Sequence, residues 1–251
     1  MKKNLKIEAK ENRNTFGLYI TIPDPTVIEM AAEAGFDFVR IDLEHFLVDP
    51  ETVLRMISTA NLLSLSVHVR VGSISEITRV LEAGADGVIV PHISTKEAAL
   101  EAVNAVKFYP LGERGMYNGY RCLRYGGIPL SEYMEKANDS VLLTVQIEDK
   151  AGLSHIDEIL SIPGIDMVSS GKSDLSQSLG LLGQSNHPSV LEAEELIAER
   201  AAVHQVYPSL LVGNESRMKR LIEKGVHSFT IGRDRNLLMQ GMKSLRQKQW
   251  P

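Results

Sequence analysis

Short apolar runs alternate with longer amphipathic stretches along almost the whole chain, and the alternation keeps a steady beat. Runs rich in Val, Ile, Leu and Phe fall near 16–20, 37–41, 65–70, 86–90, 141–147, 165–169, 207–212 and 227–231, each of strand length. Most are nearly continuous in apolar residues, as expected of parallel strands covered on both faces. Between them, at about 25–34, 50–60, 74–83, 95–106, 150–160, 187–204, 215–224 and 234–246, apolar residues recur at helical spacing. Three helix-to-strand passages share one ending: Ala34-Gly35-Phe36-Asp37, Ala83-Gly84-Ala85-Asp86 and Lys224-Gly225-Val226-His227. The glycine suits the left-handed residue that closes a helix. A βα unit repeated eight times predicts an α/β protein with a closed (β/α)8 TIM barrel. No Ser/Gly/Pro-rich linker or charge block divides the chain, so a single domain over 1–251 is expected.

Two segments break the rhythm. Residues 107–140 form an insertion before the fifth strand, and residues 170–188 a long loop after the sixth. Loops of this length in a compact domain usually carry function or meet a neighbour.

Composition changes the picture mainly by exclusion. A length of 251 residues suits one α/β barrel, and 43% hydrophobic with 24% charged residues is ordinary for a soluble globular chain. The net charge of −5 argues against nucleic acid or an anionic membrane as the main partner. No apolar run reaches the roughly 18 residues that would span a bilayer. Lys2 and Lys3 are not followed by the apolar stretch of a secretory signal, so a cytoplasmic location is expected. The single cysteine, Cys122, rules out an internal disulfide framework. Although flanked by Arg121 and Arg124, it is not expected to act as a nucleophile.

The candidate chemistry lies where the strands end. Arg70, Glu148, Asp174 and the segment Ile41-Asp42-Leu43-Glu44-His45 all sit at or just beyond a strand's carboxyl end. In a barrel those ends converge on one rim, which is where barrel enzymes keep their active sites. Glu148 and Asp174, on adjacent barrel positions, are the right ligand type for a divalent cation that prefers oxygen. Taken singly, Asp174 reads better as a helix N-cap and Glu148 as a solvated loop acid; their shared rim position tips the pair towards a metal. Arg70 is placed to stabilise an enolate or carbonyl oxygen, or to pair with a neighbouring carboxylate. His45, three residues beyond Asp42, has the side chain best suited to proton transfer near neutrality, with a carboxylate at hand to orient it. His92, at another strand end, is a candidate to line the mouth. In Gly171-Lys172-Ser173-Asp174 a turn opens into a helix, whose first N–H groups are candidates to bind a carboxylate.

These residues occur in a familiar order. Ile41-Asp42-Leu43-Glu44-His45, Val69-Arg70, Val90-Pro91, Arg114-Gly115, Val145-Gln146-Ile147-Glu148 and Ser173-Asp174-Leu175-Ser176 are joined by Asn186-His187-Pro188 and Ile231-Gly232-x-Asp234. From about Phe16 to about Leu238 the chain resembles the HpcH/HpaI family of metal-dependent (class II) pyruvate aldolases, which includes the 4-hydroxy-2-oxoheptanedioate and 2-dehydro-3-deoxyglucarate aldolases. The resemblance implies cleavage of a 4-hydroxy-2-oxo acid to pyruvate and an aldehyde through an enolate, or the reverse. It implies a divalent ion (Mg, Mn or Co) on Glu148 and Asp174, and Arg70 at the enolate oxygen. His45, oriented by Asp42, would move the proton of the aldol hydroxyl, with Gln146 lining the site. The Gly171, Lys172, Ser173 and Asp174 turn would receive the substrate carboxylate. It further implies a homo-oligomer, commonly a hexamer, whose last helix packs on or is exchanged with a neighbour.

Three departures stand out. Lys172 replaces the proline usual in the family turn, Glu82 stands where an Asp often supports the histidine, and the stretch from Tyr117 to Tyr125 is unlike common members. Lys172 is expected to tune substrate choice and not to form a Schiff base. Two other outcomes stay open: a decarboxylation followed by carbon–carbon bond formation at the same site, and a catalytically silent barrel that binds a 2-oxo acid.

Overall fold

Eight parallel strands pair in sequence order and close on themselves in the computed structural model, which describes residues 2–248. A short helix α1 (Leu5–Lys10) leads into β1 (Thr15–Ile20), α2 (Pro25–Glu33), β2 (Phe38–Asp42), α3 (Pro50–Leu62) and β3 (Ser66–Arg70). Next come α4 (Ile77–Glu82), β4 (Gly87–Val90), α5 (Lys96–Val106), α6 (Leu130–Ser140) and β5 (Leu142–Ile147). Then follow α7 (Lys150–Ser154), α8 (Ile156–Leu160), β6 (Met167–Ser170), α9 (Lys172–Ser178) and α10 (Pro188–Val203). The circuit ends with β7 (Tyr207–Leu211), α11 (Glu215–Glu223), β8 (Ser228–Arg233) and α12 (Asp234–Gln247). The (β/α)8 barrel expected from the periodicity is the fold.

Local chemistry explains most boundaries. Asp24, Asp49, Thr95 and Asn214 accept first-turn N–H bonds at the starts of α2, α3, α5 and α11. Gly35 and Gly84 close α2 and α4 at φ +82° and +102°, the left-handed geometry expected there. The helix expected over 150–160 is two short ones that meet at His155. Part of the long insertion folds as α6, and the loop after β6 begins with α9.

The strands follow a strict two-residue period that their apolar look conceals. Val39, Ile41, Val67, Val69, Leu143, Val145 and Ile147 face outward into one large core with the helices. The alternate residues point into the barrel: Phe38, Arg40 and Asp42 from β2, Ser66, His68 and Arg70 from β3, and Thr144 and Gln146 from β5. The lumen is thus polar towards its carboxyl end. Gly17 leaves the space that the Phe38 ring fills, since any Cβ there would overlap it.

The amino-terminal floor is sealed by α1, which the periodicity did not predict. Leu5 packs with Phe38, Leu142 and Met167. Lys2, Lys3 and Lys6 pair with Asp86, Asp37 and Asp166 at 2.6, 2.7 and 2.6 Å. Lys107, fully buried, donates to Asp166 Oδ2, Val141 O and Asn138 O at 2.6, 2.7 and 2.8 Å. All three ammonium donors are used.

Candidate active site

At the carboxyl rim the strand ends deliver a chain of coupled charges. Arg70, the last residue of β3, donates from Nε to Asp42 Oδ1 at 2.9 Å and from Nη2 to Asp42 Oδ2 at 2.6 Å. Its Nη1 stands 3.0 Å from Glu44 Oε2, and its guanidinium lies 5.4 Å above the Tyr19 ring. Burial opposes the charged guanidinium, but the bond to Asp42 and the negative charges of Asp42 and Glu44 raise its pKa above the arginine norm. The cation is therefore permanent and fixed in orientation. The ion pair with a neighbouring barrel carboxylate, one of the two expectations for Arg70, is present; it leaves the cation at the edge of the cavity.

Glu148 lies just past β5 and is only 2% exposed. Its Oε2 accepts from Gln146 Nε2 at 2.6 Å, and its Oε1 accepts the His92 backbone N–H at 2.6 Å. Burial pushes its pKa above the usual carboxylate value, with Gln146 and His92 pulling the other way and Glu44 adding to the rise. His92 holds a left-handed backbone, φ +57°, uncommon for a residue other than glycine and frequent where sites store strain. Its ring spans two carboxylates, with Nδ1 2.8 Å from Glu148 Oε1 and Nε2 2.8 Å from Glu44 Oε1. Ligand atoms of Glu44, His92 and Glu148 all lie within 4.8 Å of one another.

Gly171 packs directly on Glu148. A Cβ at 171 would overlap Glu148 Oε2 and come 2.8 Å from Glu148 Cβ. Beyond it, Lys172, Ser173 and Asp174 form the first turn of α9 and border a cavity of about 770 Å³. Asp42, His45, Arg70 and Gln146 border the same space. Gly171 N donates to Ile147 O at 3.3 Å, so its N–H is spent on strand bonding.

Two expected contacts are replaced by others. Asp42 does not orient His45: its oxygens are taken by Arg70 and by the Glu44 N–H at 3.2 Å. His45 is exposed, and the carboxylate nearest it is Glu44, with Oε2 3.8 Å from Nε2. Glu82 is buried at the end of α4 and accepts the Tyr117 N–H at 3.0 Å, fastening the insertion and not supporting His45. The physical reason is shared. A bidentate guanidinium outcompetes an exposed imidazole for Asp42, and α4 ends at the opposite end of the barrel from the rim.

Residues that sequence reasoning left out are Tyr19, Glu44, Arg217, Arg220 and Arg233. Tyr19 is legible from the two-residue period of β1, and Glu44 from its place just past the end of β2. Arg217 and Arg220 follow β7, across the mouth from Arg70, whereas Arg233 ends β8 and lies 5.9 Å over the same Tyr19 ring that Arg70 meets.

Such a rim, with a fixed guanidinium beside a buried carboxylate cluster above an eight-stranded barrel, marks a barrel enzyme that handles oxyanions. Residues 15–241 match the model of the HpcH/HpaI aldolase/citrate lyase family, and the chain belongs to that family. It is 32% identical over 248 residues to a 4-hydroxy-2-oxo-heptane-1,7-dioate aldolase of Salmonella arizonae, covering 98% of this chain and 94% of that protein. It is 36% identical over 194 residues to a hydroxypyruvate/pyruvate aldolase of Sagittula stellata, covering 76% of each. Among solved structures, the citrate synthase SbnG superimposes with a TM-score of 0.89 at 31% identity, over 97% of this chain and 96% of that one. An HpcH/HpaI aldolase from Desulfitobacterium hafniense gives 0.89 at 27% identity, over 98% and 97%. Among the described residues no helix is long and apolar enough to cross a membrane.

Proposed function

We propose that the chain is a class II pyruvate aldolase, an aldehyde-lyase that cleaves a 4-hydroxy-2-oxo acid to pyruvate and an aldehyde, or joins them. The observation that carries this reading is the Arg70 guanidinium, locked by Asp42 and Glu44 beside the buried Glu148 carboxylate. Cleavage removes the proton of the 4-hydroxyl, breaks the C3–C4 bond and leaves the electron pair on the pyruvate half as an enolate. A new C–H bond then forms at C3. Arg70 offers its N–H donors where charge develops on the 2-oxo oxygen. His45, exposed at the rim, is our assignment for the group that takes the hydroxyl proton. The first-turn N–H groups of Lys172, Ser173 and Asp174 are assigned to the substrate carboxylate.

The donor set fits a divalent cation. Glu148 is withdrawn from water, its orientation is fixed by Gln146, and Gly171 keeps the space beside it free of a side chain. Oxygen donors of this kind suit Mg, Mn or Co. Glu148 and Asp174 would hold the ion, with Glu44 and His92 close enough to adjust the Glu148 carboxylate. A bound cation supplies Lewis acidity that makes the methyl protons of a 2-oxo acid easier to remove. We also assign the chain to the cytoplasm and to a homo-oligomer, hexameric by the family resemblance. In support of the latter, α12 leaves Leu237, Leu238, Met239, Met242 and Leu245 about half exposed.

Exchange of pyruvate methyl protons with deuterated water tests the reading without knowledge of the aldehyde. Exchange should require added divalent cation and stop with chelator. Exchange in exhaustively metal-free protein, or a borohydride-trapped pyruvate adduct on Lys172, would overturn it.

A further inference from the structure

Lys107, Arg70 and Arg217 each bury their charge against a carboxylate. Arg40 does not. It points into the lumen from β2, two residues before Asp42, and is 3% exposed. Its Nη2 donates to Ser209 Oγ at 2.5 Å, and its Nε finds no hydrogen-bond partner. The Ser209 hydroxyl is itself 2.6 Å from that of Ser228, so the contact leads only to neutral groups. Among the described residues no carboxylate lies within ion-pair distance of Arg40.

Burying an unpaired charge is costly, and an apolar side chain of similar size often serves the fold as well or better. Burial lowers the Arg40 pKa, yet a guanidinium starts from so high a value that it keeps its proton. An uncancelled positive charge therefore stands in the lumen. One aromatic ring separates it from the rim: Arg40 lies 5.8 Å from the centre of the Tyr19 ring, and Arg70 lies 5.4 Å from the same ring. Tyr19, set beside Arg40 by the β1–β2 register, borders the cavity with Arg70. The charge is also felt sideways, where it helps to keep the adjacent His68 neutral.

The rim itself lacks such a charge. Arg70 is answered by both Asp42 and Glu44, and Glu148 adds a third carboxylate nearby. Negative charge growing on a 2-oxo oxygen would meet a guanidinium that two acids already balance. Arg40, deeper in the barrel, has no such partner.

We propose that Arg40 is a positioning residue for the enolate step: from below the Tyr19 ring, without touching substrate, it supplies the uncompensated positive charge that favours electron density on the 2-oxo oxygen. The inference rests on the aldolase reading, which sets that oxygen beside Arg70.

The test follows exchange of pyruvate methyl protons with deuterated water at saturating pyruvate, in the full-length, metal-loaded protein, alongside unfolding by denaturant. R40M and R40Q should each lower the maximal exchange rate by about 10-fold, the scale of a unit charge acting through protein over roughly 10 Å. The unfolding midpoint of R40M should hold or rise, because a buried unpaired charge has been removed. S209A removes the hydrogen bond of Arg40 but not its charge. It should lower the midpoint and change the exchange rate less than about 3-fold, as expected of one lost hydrogen bond away from the reacting atoms. R40Q, which keeps polar atoms near Ser209, decides the question should R40M not fold. An R40Q exchange rate close to that of the wild type, or an S209A rate as low as that of R40Q, would overturn the proposal and make Arg40 a packing element. Wild-type exchange with R40Q unaffected removes Arg40 alone, whereas no exchange in the wild type removes the aldolase reading with it.

Discussion

The two ends of the barrel are built from the same chemistry and finished differently. At the floor, Lys107 is fully enclosed and all three of its protons are given to Asp166, Val141 O and Asn138 O. At the rim, Arg70 is held as firmly by Asp42, yet it borders the cavity, and across from it Arg217 keeps unpaired donors. Both ends are buried and charged, so burial and charge alone do not locate function. What separates them is the cavity that the rim residues border and the floor residues do not.

The comparison breaks most readily at the floor. Lys107→Met would leave Asp166 with the Leu143 N–H and a single, outer cation, Lys6. Breaking a buried pair costs about 3–5 kcal/mol, so chemical denaturation should show a loss of that order. Turnover per folded molecule should change less than about twofold, since no rim contact is lost. A stable but inactive variant would mean that the floor is part of the site.

At the rim the expected effect is smaller in free energy and lies in rate. Arg70→Lys keeps the charge that Asp42 and Glu44 require but loses the two-pronged geometry. It should fold, and kcat should fall by about 10²-fold, equivalent to about 2.7 kcal/mol of barrier. Near-normal turnover measured at saturating substrate would make Arg70 a structural cation like Lys107.

The third effect concerns pH and sharpens the contrast from inside the lumen. Burial drives the His68 pKa down from 6.5 to about 3, helped by the positive charges of Arg40 and Lys2. The unfolded chain thus binds a proton that the folded chain refuses between these values. The stabilising contribution is whole above pH 6.5 and falls by about 1.4 kcal/mol per unit as the pH drops towards 3. His68→Gln should flatten the slope of stability against pH in that window. Identical slopes for both proteins in a denaturation series from pH 7 to 4 would show that His68 does not limit acid stability.

Much of this architecture is legible in the amino-acid order because it is local. Eight apolar runs, helical spacing between them and glycine endings such as Gly35 and Gly84 are short-range signals of a βα repeat. The rim position of Arg70 and Glu148 follows from strand ends once a barrel is assumed. Pairing across strands is another matter. Asp42 lies near His45 in sequence but is won by Arg70, 28 positions away, because the strand register sets Asp42 opposite Arg70. The α1 helix escaped notice since six residues give too short a period to read. The shared cavity was hidden for a similar reason: Lys172, Arg217 and Arg233 border it from different βα units and share nothing until the circle closes.

Gly171 and Lys172 make neighbouring positions with opposite prospects for change. Any side chain at 171 collides with Glu148, so that position is closed to variation without disturbing the carboxylate beside it. One residue on, the side chain at 172 borders open space and carries no backbone constraint beyond starting a helix, which proline and lysine both satisfy. A lineage, or a mutant library, can therefore explore new substrates at 172 in single steps while the reaction centre is held constant by its neighbour. Retuning of specificity and preservation of chemistry are separated here by one peptide bond.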